Sequence, residues 1–387
     1  MACEIAGAGT IFLGMTLTLV LLVAVLAFAN GSNDNGKGVA TLVGFGAATP
    51  RKALAFATAT TVAGGIISFW FAGGLLASFS TGLFAKGTAL DSAFFVAVLT
   101  GACGWVLLAT RTAMPVSTTH AIIGALTGAG LVAFGSARME WSFLGAKFAI
   151  PLAVSPLLSL AIVYAIAWPV LFVLRRLAGR CVCVIDQPLH GAVAAQSDRT
   201  VSVAVGHVTL PLVVVGDDST CPPAGDRAAA ATTSGAASAV HWISAGLISF
   251  ARGWNDSPKI AALALVALTG VAHGTALAFA VVTVAMAAGG LFAGRKVLET
   301  LARKLTPLPL AESLTASLVT ATLVMTASRF ALPVSTTHVA TGSIIGAGLK
   351  NNPAAVRWSK VGEIVLSWVI TLPTAGLIAA AAIWVIR

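Results

Sequence analysis

The chain alternates long apolar runs with short polar breaks. Runs at 11–45, 53–79, 92–110 and 142–174, then at 241–267, 272–293, 308–327 and 359–386, are dominated by Leu, Val, Ile, Ala, Phe and Gly. Several reach the roughly 20 residues a helix needs to cross a hydrocarbon core. They are continuous rather than alternating, which predicts helices and not a β-barrel. Shorter Gly-rich runs end near 135 and 349. The pattern predicts an all-α polytopic membrane protein with about ten to twelve membrane segments.

Two of the runs contain strings that a bilayer should reject. Phe28-Ala29-Asn30-Gly31-Ser32-Asn33-Asp34-Asn35-Gly36-Lys37 returns as Phe250-Ala251-Arg252-Gly253-Trp254-Asn255-Asp256-Ser257-Pro258-Lys259, 222 residues later, with the shared pattern F-A-x-G-x-N-D-x-x-K. Gly31, Gly36 and Pro258 predict helix breaks. An ionisable group at the bilayer centre costs at least ~2.5 kcal/mol, so such residues usually line a solvated site. Recurrence in both halves favours broken helices meeting at the midplane over side chains that reach for headgroups.

A second pair of strings is Met114-Pro115-Val116-Ser117-Thr118-Thr119-His120 and Leu332-Pro333-Val334-Ser335-Thr336-Thr337-His338. Both read as helix starts, because Pro suits a first turn and Ser and Thr cap free N–H groups. A half-helix that begins inside a membrane offers bare N–H groups, a positive dipole end and hydroxyls, which together suit an oxyanion. Residues 111–131 align without a gap to 329–349 and match at 13 of 21 positions, so the chain is an internal duplication.

Composition agrees with a membrane protein. The 387 residues are 58% hydrophobic and 9% charged, with mean hydropathy +0.95. Soluble chains carry about 25% charged residues. The net charge of +10 sits in short loops, as in cytoplasmic loops of membrane proteins, and this argues against nucleic-acid binding. Basic loops at 175–180 and 295–304 should both be cytoplasmic. An odd number of passes in the first half, whether 92–135 spans fully or forms a re-entrant hairpin, then places both termini outside and inverts the second half relative to the first. This is an architecture of secondary transporters.

The expected organisation is membrane repeat 1 at 1–177, a hydrophilic cytoplasmic insert at 178–240, and membrane repeat 2 at 241–387. Val-rich alternations at 201–205 and 212–215 suggest that the insert is partly β. The five cysteines (Cys3, Cys103, Cys181, Cys183, Cys221) show no disulfide framework, and Cys181-x-Cys183 alone is a weak metal signal. Glu4 and the absence of a basic stretch before residue 11 predict a retained first span.

With both motif pairs in view, the chain resembles the inorganic phosphate transporter (PiT) family, over both membrane halves and not the insert. The resemblance implies a phosphate or sulfate permease of the cell membrane, working by alternating access and coupled to sodium or protons, with no bound cofactor. Carried over, the substrate residues are Asn33, Asp34, Ser117, Thr118, Thr119, Asn255, Asp256, Ser335, Thr336 and Thr337. The family pattern usually has a second asparagine three residues after the aspartate; here Lys37 and Lys259 stand there. An ammonium at that place can supply a coupling cation's charge, which predicts proton-coupled or cation-independent transport. The lysines can instead pair with the aspartates or bind the anion directly, and sodium symport is the alternative coupling.

Phosphate near neutral pH still carries a proton to donate to a carboxylate and sulfate does not, so Asp34 and Asp256 favour phosphate. An intramembrane serine hydrolase fits poorly, because Ser and His are i,i+3 on one helix and no G-x-S-x-G elbow occurs. His120 and His338 suit a proton relay or helix packing. Arg111 and Arg329 suit anion attraction or snorkelling, and Glu312 a helix start. The lipid bilayer and the anion are the expected partners, and a homodimer is compatible with the sequence.

Overall fold

A computed structural model describes residues 2–177, 180–188, 209–217 and 229–387. It divides into two units, residues 1–168 with 241–387, and residues 169–240.

The larger unit is helical. Its first part comprises α1 (Ala2–Phe45), α2 (Pro50–Phe71), α3 (Gly73–Ser80), α4 (Ser92–Arg111), α5 (Thr118–Phe134) and the single turn α6 (Trp141–Phe143). A π-helical turn, Leu144–Ala149, then leads into α7 (Ile150–Leu177), of which residues 150–168 belong to this unit. Its second part comprises α8 (Thr233–Ala264, of which residues 241–264 belong to this unit), α9 (Gly274–Ala293), α10 (Arg295–Arg303), α11 (Leu310–Arg329), α12 (Thr336–Asn351) and α13 (Trp358–Ile386).

Among the described residues, seven helices are long and apolar enough to cross a membrane. That is fewer than the apolar runs suggested, for two reasons. α5 and α12 have only 17 and 16 residues, and α8 crowds Arg252, Asp256 and Lys259 into its apolar stretch.

The expected helix breaks at the N-D strings do not occur. α1 runs unbroken through 30–37, and α8 runs through Pro258. The polar side chains find partners on other helices, so the backbone can keep its own hydrogen bonds. The glycines serve close approach instead. A Cβ on Gly31 would lie 2.0 Å from the Met286 carbonyl oxygen on α9, and one on Gly253 would lie 2.1 Å from that of Thr61 on α2. Equivalent glycines thus let α1 cross α9 and α8 cross α2 at backbone contact.

The breaks lie instead at the P-V-S-T-T-H strings. α4 ends at Arg111, Ala113 takes φ 59°, and α5 restarts at Thr118. α11 ends at Arg329, Ala331 takes φ 53°, and α12 restarts at Thr336. The serine caps are as expected, with Ser117 Oγ accepting from His120 N at 3.2 Å and Ser335 Oγ from His338 N at 3.3 Å, but Pro115 and Pro333 lie two residues before the caps and not in the first turns.

In the smaller unit, the described residues include β1 (Arg180–Pro188), β2 (Thr209–Asp217) and β3 (Ala229–Thr232). They form an antiparallel sheet in the order β2-β1-β3. The alternation at 212–215 lies in β2, whereas 201–205 lies outside the described residues.

Candidate anion site between the repeated motifs

Each N-D string faces the P-V-S-T-T-H turn of its own half. Asn33 Nδ2 donates to Thr110 Oγ1 (3.1 Å) and to the Met114 carbonyl (2.9 Å), and its Oδ1 accepts from Val116 N (3.1 Å). Asn255 Nδ2 donates to the Val334 carbonyl (3.0 Å), and its Oδ1 accepts from Ser328 Oγ (3.3 Å). Both asparagines hold the turn of their own half, but with the amide reversed: Asn33 presents Nδ2 to Thr110, Asn255 presents Oδ1 to the equivalent Ser328, and Asn255 Nδ2 also donates to Asp256 Oδ1 at 3.2 Å.

The lysines tie the halves to each other. Lys37 Nζ donates to Asp34, to the Val116 carbonyl (2.7 Å) and to Thr337 Oγ1. Lys259 Nζ donates to Asp256 (3.2 Å), to the Val334 carbonyl (2.9 Å) and to Thr119 Oγ1 (2.9 Å). Each ammonium thus binds its own aspartate, its own half's turn and the other half's threonine. All three donors of each lysine are used. Both lysines and both aspartates are buried.

Asn30 closes the arrangement. Its Nδ2 lies 3.0 Å from Asp34 Oδ2, 3.2 Å from Asp256 Oδ2 and 3.1 Å from Thr118 Oγ1. Its Oδ1 accepts from Arg252 NH1 at 3.1 Å. Arg252 NH2 reaches Asn35 Oδ1 (3.2 Å) and Thr61 Oγ1 (2.8 Å). The motif position that is Asn30 in one half is Arg252 in the other, so the network is symmetric in its lysines and asymmetric here. Sequence reasoning assigned no role to Asn30, Arg252, Asn35 or Thr61. An arginine inside an apolar run was the available signal.

Of the ten residues that the resemblance implies bind substrate, the structure gathers all into this one region, with distinct surroundings. Asp34, Asp256, Thr118, Thr119 and Thr337 share the lysine–Asn30 network. Ser117 and Ser335 cap, Asn33 and Asn255 brace, and Thr336 is buried in the first turn of α12. The first-turn N–H groups of α5 and α12 precede each helix's internal bonding, and those of His120 and His338 are met by the Ser117 and Ser335 hydroxyls. Lys37, Lys259 and Arg252 share this network with Asp34 and Asp256.

The histidines do not touch the lysine network. Their rings pack at 4.5 Å between centroids, His338 stacks on Trp368 at 3.9 Å, and His338 Nδ1 lies 3.0 Å from the Leu152 carbonyl. Neither serine bonds a histidine ring; each meets the backbone N–H of the residue three positions on. A cavity of about 620 Å³ opens beside the histidines, walled mainly by apolar residues such as Phe148, Leu152, Trp358 and Leu372. Its apolar lining suits hydrocarbon and not an anion. Arg111 and Arg329 are exposed at the ends of α4 and α11, apart from the network. Glu312 is buried in the first turn of α11.

Residues 30–379 match the model of the phosphate transporter family. A protein of Rhizobium meliloti named "probable low-affinity inorganic phosphate transporter" is 30% identical over 353 residues, covering 88% of this chain and 87% of its own. One of the same name from Mycobacterium bovis is 29% identical over 352 residues, covering 88% of this chain and 70% of its own. A solved structure titled "The sodium-dependent phosphate transporter" superposes with TM-score 0.73 at 23% identity, over 96% of this chain and 98% of that one. These relatives are transporters and not enzymes, and this chain belongs to the phosphate transporter family.

Proposed function

We propose that the protein carries inorganic phosphate across the cell membrane by alternating access, with its two repeats inverted about the site and with Lys37 and Lys259 in place of a coupling sodium ion. The observation that carries this reading is the crossed pattern of the two ammonium groups. Each one joins an aspartate of one half to a threonine of the other, a position in which a bound cation would do the same electrostatic work.

The mechanism follows from this pairing. With Asp34 and Asp256 ionised, the lysines are neutralised and the halves are latched. A proton delivered to Asp34 leaves the Lys37 ammonium without its counter-charge. That ammonium, the first-turn N–H groups of α5 and α12, and Thr118, Thr119, Thr336 and Thr337 then hold the anion. A phosphate that retains a proton can also donate to the remaining carboxylate, whereas sulfate would meet it with charge alone. Asn33 and Asn255 act through the turns that they hold. The insert and the basic loops lie on the cytoplasmic side, and both termini outside.

Labelled phosphate and labelled sulfate offered separately to proteoliposomes test the substrate. The expected result is phosphate uptake that tenfold excess sulfate barely reduces. Uptake of sulfate without phosphate would identify a sulfate permease instead. The named sodium dependence of the structural relative gives the second reading, a sodium symporter, which the coupling measurement below separates.

A further inference from the structure

The two lysines sit in corresponding places, but the ground beyond them differs. One helical turn beyond Lys37 on α1 is Thr41. Its hydroxyl lies 2.8 Å from Ser317 Oγ of α11 and 3.1 Å from His241 Nε2 of α8. One turn beyond Thr337, the partner of Lys37, is Thr341 on α12. Ser313, one turn from Ser317, lines a small gap together with Thr41 and Thr306. Glu312 is its neighbour in the chain. Thr41, Ser317, His241, Thr341, Ser313 and Glu312 are all buried.

The residues of the other half that correspond to these six are all apolar, although Thr306 corresponds to Thr88. Leu263 replaces Thr41 and Leu19 replaces His241, counting 222 residues between motif copies. Leu99, Ile123, Phe95 and Phe94 replace Ser317, Thr341, Ser313 and Glu312, by the alignment of 111–131 with 329–349 carried back along α4. All six are buried in the same way. Burial alone therefore does not require polar groups at these positions, and the half that has them carries the cost of burying them.

Several of those polar atoms are also unmet. Thr341 Oγ1, His241 Nδ1 and Glu312 Oε2 have no hydrogen-bond partner among the described residues. Buried polar atoms nearly always have one, in protein or ordered water. Thr41 joins Ser317 and His241 directly, one turn from Lys37, and Thr341 stands one turn from Thr337; water bridging these groups would complete the row that proton transfer needs, because each hydroxyl can accept one proton and release another.

We propose that the file through Thr41, Ser317 and Thr341 is a water-and-proton path joining Asp34 to one membrane face, with no counterpart leading from Asp256 to the other. This rests on the proposed phosphate carrier and supplies its proton. A proton entering near Glu312 or His241 passes along hydroxyls and water to an Asp34 oxygen, and the Lys37 ammonium stays charged. The titratable groups facing the file are His241 from α8, Glu312 from α11, and Lys37 with Asp34 from α1; α10 contributes Leu301 and Ala302 at the small gap. By the charge of its loops, this face is the cytoplasmic one, beside Arg51, Lys52 and the 295–304 segment.

The test compares two activities of the full-length protein in proteoliposomes: phosphate uptake driven by a pH gradient, and exchange of labelled for unlabelled phosphate at equal pH. In Thr41→Val combined with Ser317→Ala, driven uptake should fall at least about tenfold while exchange stays within about twofold of wild type. Retained exchange also shows that the variant folds. Thr41→Ser should restore driven uptake, and Leu263→Thr should change neither activity. Equal loss of both activities would make the file a wall of the anion route or a structural contact. Loss of neither would leave no proton path there, and both results overturn the proposal. Failure of the underlying reading looks different: wild type would exchange no phosphate, or would need sodium for uptake.

Discussion

Lys259 donates to Thr119 Oγ1 at 2.9 Å, a contact between segments 140 residues apart that joins one half of the duplication to the other. Its mirror, Lys37 with Thr337, spans 300 residues. Removing either lysine strands a buried carboxylate, which costs about 3–5 kcal/mol in comparable buried pairs. Lys259→Met should therefore lower the melting temperature strongly. Adding Asp256→Asn should recover most of the stability without recovering uptake. Thermal unfolding in detergent, read beside uptake in proteoliposomes, checks both parts.

The threonines offer a gentler change. Thr119→Val and Thr337→Val keep shape and remove the hydroxyl that the opposite lysine uses. Each should reduce phosphate uptake by about tenfold or more with a stability loss of only about 1–3 kcal/mol. Thr→Ser at either position should retain most of the uptake. Uptake unchanged in both valine variants would mean that the crossed contacts are incidental.

Arg252 spends its hydrogen bonds on neutral oxygens of Asn30, Asn35 and Thr61. Arg252→Met leaves those buried acceptors unmet, at about 1–3 kcal/mol each. The melting temperature should drop, and Arg252→Lys should not restore it, because a point ammonium cannot reproduce the planar fork. Equal stability of the lysine variant and wild type would remove the geometric role given to the guanidinium.

Helix crossing is testable at glycine. A Cβ on Gly31 would lie 2.0 Å from the Met286 carbonyl oxygen, whereas one on Gly14 of the same helix would have nothing within 4 Å. Gly31→Leu should abolish folded protein, and Gly14→Leu should be well tolerated. Size-exclusion profiles of the two variants report the difference.

Much of this arrangement was legible in the chain. The apolar runs placed most of the helices within a few residues, as with 92–110 against α4 and 272–293 against α9. The P-V-S-T-T-H strings announced capped restarts because Ser acts locally, through one turn of backbone, although the prolines fall before the caps. The N-D strings misled on helix continuity for the opposite reason. Whether Gly31 or Pro258 breaks a helix depends on which neighbours absorb the strain, and that is a tertiary property. The partners of Lys37 were likewise hidden. The spacing i,i+3 made Asp34 foreseeable as an ion-pair partner, but Thr337 becomes a neighbour only after both halves fold together. Arg252 and Asn30 drew no role because their value lies in how they differ at equivalent positions.

In the proposed carrier two built-in ammonium groups replace a coupling cation. The direct measurement is the initial rate of phosphate uptake into proteoliposomes with sodium removed, with and without an inwardly directed proton gradient. Full uptake without sodium and acceleration by the proton gradient are expected. Uptake that collapses without sodium and ignores the proton gradient would contradict that replacement.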